Sequence, residues 1–199
     1  MSADTHPVDW STGTWLHPPV RAQESADGLT VEPREGSDLW RRTSYGFVHD
    51  DASALLAPFP VGSAVEVSFH LDYAAQFDQA GVLVRVDERQ WTKAGVEVSD
   101  GQPQLGAVVT REVSDWSVAP VPEWSGREVT VRVSRAGDAL TVRARVAGEP
   151  WRLVRLAPLD PAAEASAGPF CCSPSRGGLV VRFTGWRVGP ADEALHPED

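Results

Sequence analysis

The chain has few features of several large protein classes. Of 199 residues only two are cysteine, Cys171 and Cys172, and they are adjacent. An adjacent pair cannot staple distant segments, and without CxxC or a histidine cluster it offers no zinc-site spacing. Neighbouring thiols on a strand point to opposite faces. The expectation is two reduced cysteines, one of them buried. The longest uncharged stretch, Ala52 to Val65, is interrupted by Pro58 and Pro60. It is shorter than the ~20 apolar residues that span a bilayer, so no transmembrane helix is expected. The N-terminal MSADTHPVDW has neither the basic nor the apolar region of a secretory signal, which points to the cytoplasm. Basic residues are scarce, 18 against 28 acidic, for a net charge of −10. That balance argues against nucleic acid or an anionic membrane as the partner. The five histidines show no HExxH or related spacing, there is no GxSxG, and no glycine-rich phosphate loop is present. Neither a metal nor a cofactor is expected.

Alternation is abundant. In 63–72, Val65, Val67, Phe69 and Leu71 share one face. Ala80, Val82, Val84 and Val86 do so in 79–87, and Ala94, Val96 and Val98 in 91–99. The pattern returns with Val129, Val131 and Val133, then Leu140, Val142, Ala144 and Val146, then Leu179, Val181 and Phe183. Period-two alternation of this extent predicts half-buried antiparallel strands. Asp100-Gly101, Pro120, Pro122, Gly148-Glu149-Pro150 and Gly177-Gly178 mark reversals. Ala136-Gly137 reads as a two-residue hairpin loop, setting Val133 opposite Leu140 and Val131 opposite Val142. No helical stripe exceeds two turns. About a dozen strands in one domain, residues 1–199 with a core near 15–190, predict an all-β, two-sheet antiparallel jelly-roll sandwich.

Phe77 to Gly101 is the most informative segment. A three-residue loop, Asp87-Glu88-Arg89, pairs Arg85 with Trp91, Leu83 with Lys93, Gly81 with Gly95 and Gln79 with Glu97. The next allowed register sets Arg85 against Lys93, a disfavoured like-charge pair. The chosen register also lets Arg85 stack on Trp91. Two mid-strand glycines lie side by side, marking close approach of a ligand or another backbone. Gln79, Gly81, Arg85, Trp91, Lys93, Gly95 and Glu97 thus form a candidate binding floor, with Glu97 the candidate acid or base; a solvated sheet face, or one covered by a loop, is the alternative. Asp115 and Trp116, flanked by Ser114 and Ser117, form a second sugar-compatible group. A turn with Asp115 bonding local amides is the alternative. His49 beside Asp50 suggests a dyad, but strand neighbours point apart. Arg132, Arg143 and Arg145 share one polar face, an anion site or simply a solvated surface.

The strings SDLWRRTSYGFVHD, FDQAGVLVRVDERQWTKAGVEVSDG, VVTREVSDWS and GPFCCSPSRGGLVVRF resemble the "regulation of enolase" family of domains of unknown function, from about Trp15 to about His196. That family belongs to the concanavalin A-like lectin/glucanase superfamily. The resemblance implies a jelly roll with a concave face on which relatives bind or cleave glycans. The ExDxxE strand of laminarinase-like relatives is missing; Glu97-Val98-Ser99-Asp100 is the nearest piece. No acidic loop matches a superfamily calcium site. The leading expectation is a non-hydrolytic module for a small, carbohydrate-like ligand. The rivals are an enzyme using Glu97, with Lys93 or Arg85 stabilising negative charge, and a regulatory protein-interaction domain. A second carboxylate about 5–10 Å from Glu97 across a cleft would favour the enzyme.

Overall fold

A computed structural model describes residues 5–196. Its strands, in chain order, are β1 (His6–Pro7), β2 (Thr14–Trp15), β3 (Arg21–Ser25), β4 (Gly28–Glu32), β5 (Leu39–Arg41), β6 (Val48–Asp50), β7 (Ser53–Pro58), β8 (Ser63–His70) and β9 (Gln79–Arg85). They continue with β10 (Gln90–Ser99), β11 (Gln102–Arg111), β12 (Val113–Pro120), β13 (Glu128–Ala136), β14 (Ala139–Val146), β15 (Arg152–Pro158), β16 (Ser166–Cys172) and β17 (Val181–Pro190). Among the described residues the only helical pieces are 3-10 turns at Trp10–Thr12 and Pro122–Trp124. No helix there is long and apolar enough to cross a membrane.

Two antiparallel sheets stack face to face. The back sheet runs β15-β14-β13-β8-β17-β4-β3, with β1 also on β17. The front sheet runs β12-β11-β10-β9-β16-β7-β2. The alternating apolar sets meet between them: Val65, Val67 and Phe69 of β8 and the valines of β13 and β14 face Ala80, Val82, Val84, Ala94, Val96 and Val98. All are almost completely buried; each such valine contributes roughly 1.5–3 kcal/mol. Period two breaks once in the last long strand. A register shift between Phe183 and Gly185 turns Trp186 inward, where strict alternation would aim it out.

The β13–β14 hairpin differs from expectation by two residues. Val133 opposes Val142 and Val131 opposes Ala144, so the loop is Gly137-Asp138. Gly137 takes the first loop position with φ +55. Favoured two-residue hairpin turns need a positive φ there, which Ala136 would adopt only with strain. A shift of two keeps every side chain on its expected face.

A second, smaller core lies outside the front sheet. The hairpin β5–β6 lies across that face. Leu39 and Trp40 from it pack with Leu56, Leu83, Trp91, Phe170 and Cys172. Its anchors are polar. Arg41 N–H donates to Ser114 Oγ at 2.9 Å, and the Arg41 guanidinium reaches the carbonyls of Glu112 and Glu88. Half of a face that alternation alone would leave in water is therefore covered. This corrects the reading of the cysteines. Both are free and both are buried, Cys171 in the inter-sheet core and Cys172 beneath the hairpin.

Candidate functional site

The β9–β10 hairpin has the expected register: Arg85 opposite Trp91, Leu83 opposite Lys93, Gly81 opposite Gly95 and Gln79 opposite Glu97. Asp87 fixes its loop, Oδ1 accepting from the backbone N–H of Arg89 at 2.7 Å and Gln90 at 2.8 Å. Asp100-Gly101, both at positive φ (+53 and +78), then returns the chain into β11. This is the two-residue geometry that matches strand twist. It sets Glu97 opposite Gln104, Gly95 opposite Gly106 and Lys93 opposite Val108.

Outer-face side chains therefore form rows across the sheet. The middle row is Phe170, Gly81, Gly95, Gly106 and Val118. On one side lie Gln79, Glu97 and Gln104. On the other lie Leu83, Lys93, Val108 and Trp116. The glycines answer to a neighbouring backbone before any ligand. A Cβ on Gly95 would overlap the Ala80 carbonyl oxygen, and one on Gly81 the Ala94 carbonyl oxygen. A side chain at either position cannot be added without moving a strand.

Lys93 reaches past Gly81 to the opposite row. Its ammonium donates to Gln79 Oε1 at 2.8 Å and to Asp38 Oδ1 at 3.1 Å. Burial is the largest single influence and works against this charge, but Asp38, Cys172 and Glu97 together outweigh it and hold the Lys93 pKa above its ordinary value. Glu97 is placed differently. Burial lifts its carboxyl from 4.5 to about 7; the positive charge of Lys93 opposes the rise and the negative charge of Asp38 adds to it. Among the described residues no hydrogen-bond donor is paired with the Glu97 carboxylate or with the Gln104 side-chain carbonyl. Both side chains line a cavity with Gly95, Gly106, Trp116 and Val118. Its free space is about 20 Å³, roughly that of one water. Trp116 stands at the rim, 39% exposed, with its ring edge-on to Trp40 at 6.2 Å. Trp40 in turn meets Tyr45, which stacks on Phe47 at 5.3 Å.

The expected floor is thus divided. Gln79, Lys93, Gly95, Glu97 and Trp116 line the cavity. Gly81 lies beside Phe170 and is not among its lining residues. Trp91 is 2% exposed under the β5–β6 hairpin. Arg85 is directed to Asp50 of that hairpin through a two-pronged pair at 2.6 and 2.8 Å and does not line the cavity. Neither side chain enters the space shared by Lys93 and Glu97, because hairpin β5–β6 covers their end of the face. That hairpin belongs to a distant segment with only three residues per strand. Asp115 is separated from Trp116 by strand alternation and pairs instead with Arg155 at 2.8 Å. Asp50 is committed to Arg85, and His49 Nδ1 lies 3.7 Å from Asp51. Arg132 is buried against Glu66 and Asp192, while Arg143 also bonds Asp192. This is an internal ion cluster, in place of an open anion site or a solvated face. Among the described residues no group of three or more His, Cys, Asp or Glu could hold a metal ion.

Gln104, Gly106 and Asp38 were absent from the expected site. Carrying the parity of β10 through Asp100-Gly101 finds the first two. Asp38 comes from a loop 55 residues before Lys93 and has no local signal.

Two stacked antiparallel sheets, with a pocket on the outer face of one, make the chain an antiparallel β-sandwich. The chain belongs to the family described as protein of unknown function (DUF1349), whose pattern matches residues 15–191. It is 38% identical over 190 residues to "Regulation of enolase protein 1" of Saccharomyces cerevisiae, covering 95% of this chain and 96% of that protein. The crystal structure of a functionally unknown protein from the same yeast is similar at TM-score 0.86 and 36% identity, over 92% of this chain and 98% of that one. At 10% identity and TM-score 0.72, 93% of the chain matches 38% of a GH43 protein, BlXynB, from Bacillus licheniformis. A lectin from Bauhinia forficata in complex with GalNAc matches at TM-score 0.59 and 11% identity, over 97% of this chain and all of the lectin. The last two likenesses are of fold alone.

Proposed function

We propose that this chain is a non-hydrolytic binding domain for a small, polar, carbohydrate-like ligand, seated on the outer face of the front sheet. One observation carries the reading. Glu97 and Gln104 are side-by-side partners on β10 and β11, line one cavity, and have no hydrogen-bond partner for their acceptors among the described residues. Neither group is sealed from solvent, so both acceptors are open to a ligand entering the cavity, and a few polar groups converging in a concave site are what fixes a bound molecule. Beside them stands the exposed Trp116 side chain, and Tyr45 and Phe47 extend the aromatic surface over the hairpin. A hydroxylated ring lying on Trp116 with one substituent in the cavity uses both. The lectin and glycosidase neighbours lend weight to a glycan-like ligand.

A carboxyl near 7 also suits general acid–base work. Hydrolysis of a glycosidic bond calls for a second carboxylate flanking it. The carboxylate that interacts with Glu97 is Asp38, which is held by Lys93 and does not line the cavity. Binding is therefore the better-supported reading.

The test is titration of the protein with mono- and disaccharides, followed by tryptophan fluorescence. Saturable binding is expected, with Trp116→Ala and Gln104→Leu each weakening it about tenfold or more. Binding unaffected by both substitutions would place the ligand elsewhere.

A further inference from the structure

The proposed site has a charge imbalance, and the inference drawn from it rests on that reading of the pocket. Three ionisable side chains interact at its polar end. Lys93 and Glu97 come from β10, and Asp38 from the segment before β5. The one cation, Lys93, is bonded to Asp38 and to Gln79. The other groups packed around Glu97 carry no charge in their ordinary states. They are Gln79 on β9, Gln104 on β11, and Tyr73 behind the sheet, whose hydroxyl donates to the Val96 carbonyl at 2.8 Å; the Cys172 thiol lies one strand further on, opposite Gln79. With Glu97 ionised, the pocket and the Asp38 carboxylate bonded behind it to Lys93 carry two negative charges against one ammonium, so the group is one positive charge short.

The size of the space narrows the chemistry. About 20 Å³ excludes a sugar ring but admits a group the size of water. A hydroxyl and an ammonium are both that small. Only the ammonium brings three donors to a carboxylate and an amide carbonyl that have none, and only it restores neutrality. An anion would set a further negative charge beside Glu97 and Asp38. The exposed Trp116 side chain at the rim is an indole, which attracts a cation as well as a ring.

We propose that the pocket receives the protonated primary amine of a hydroxylated ligand, the amine seated between Glu97 and Gln104 and the ring lying outside on Trp116. The shared chemistry is an ammonium carried on a polyhydroxylated ring, as in amino sugars and aminoalkyl glycosides.

Three near-isosteric probes test it: 2-aminoethyl, 2-hydroxyethyl and carboxymethyl β-glucoside, each titrated by calorimetry into the full chain between pH 6 and pH 8. The amine of the first stays protonated over this range. At pH 8 the aminoethyl glucoside is expected to bind about tenfold or more tighter than the hydroxyethyl glucoside, with the carboxymethyl glucoside weakest. That preference should shrink toward pH 6 as Glu97 takes up its proton. In Glu97→Gln the ratio of the first two affinities should fall to about one at every pH, circular dichroism confirming the fold. Equal binding of the aminoethyl and hydroxyethyl probes, or tightest binding of the carboxymethyl probe, overturns the ammonium assignment and leaves the pocket as a ligand site. No binding of any probe overturns the site as well.

Discussion

Replacing Glu97 by glutamine should make the protein more stable, and only above a definite pH. The carboxyl is lifted by burial from 4.5 to about 7, against the pull of Lys93. Below pH 4.5 the folded and unfolded chains both hold this proton, and the group adds no pH dependence. Between 4.5 and 7 the unfolded chain has released it while the folded chain keeps it. Each further pH unit then draws the equilibrium toward unfolding by about 1.4 kcal/mol. Above 7 the loss is complete, at roughly 3 kcal/mol. A glutamine of the same shape carries no charge and escapes this penalty. Urea denaturation of parent and Glu97→Gln at half-unit steps from pH 4 to pH 8.5 measures it. Comparing the two proteins cancels the other titrating groups they share. The variant should match the parent near pH 4 and gain up to about 3 kcal/mol by pH 8, or roughly 6–12 °C in Tm. A gain that is absent at pH 8, or undiminished at pH 4, would refute the assignment of Glu97 as a desolvated carboxyl. Stability given up at a single pocket residue is what a retained binding group looks like.

Three further outcomes follow from the same geometry. Gly95→Ala should destabilise by about 1–3 kcal/mol or more, since its Cβ overlaps the Ala80 carbonyl oxygen; an unchanged thermal midpoint would contradict the strand contact. Asp50→Ala leaves the nearly buried Arg85 guanidinium unpaired and should cost about 3–5 kcal/mol in denaturant titrations. Asp50→Leu with Arg85→Met should recover most of that loss, and failure to recover would assign Asp50 another role. Burial pushes both cysteine thiols above the ordinary range, so a thiol reagent at pH 8 should label neither in the native protein and both after unfolding. Rapid native labelling would show that hairpin β5–β6 does not seal Cys172.

Most of the sandwich was legible because its code is local. Alternation assigned the inner faces of β8, β9, β10, β13 and β14, and the like-charge conflict between Arg85 and Lys93 selected the β9–β10 register. The miss at β13–β14 was one of turn chemistry, since the glycine, not the alanine before it, must open the loop. The site was half legible for a different reason. Parity determines which face a residue joins but does not say whether that face meets water. Arg85 and Trp91 share the face of Lys93 and Glu97, yet hairpin β5–β6 covers their end and leaves the other open. The contacts that decide this, Asp50 to Arg85 and Asp38 to Lys93, join residues 35 and 55 positions apart. No short-range pattern encodes such pairs. Gln104 was within reach of the sequence, since the Asp100-Gly101 turn sets it opposite Glu97.

The central claim is that the uncovered end of the front sheet, and no other surface, receives the ligand. It is tested most directly by mapping amide and indole signals of the isotopically labelled protein by NMR during titration with 2-aminoethyl β-glucoside. The Gln104 side-chain amide and the Trp116 indole N–H should shift together and saturate with one affinity. The Trp91 indole, buried beneath hairpin β5–β6, should stay in place. Saturable shifts confined to another surface, with Gln104 and Trp116 unmoved, would contradict the account.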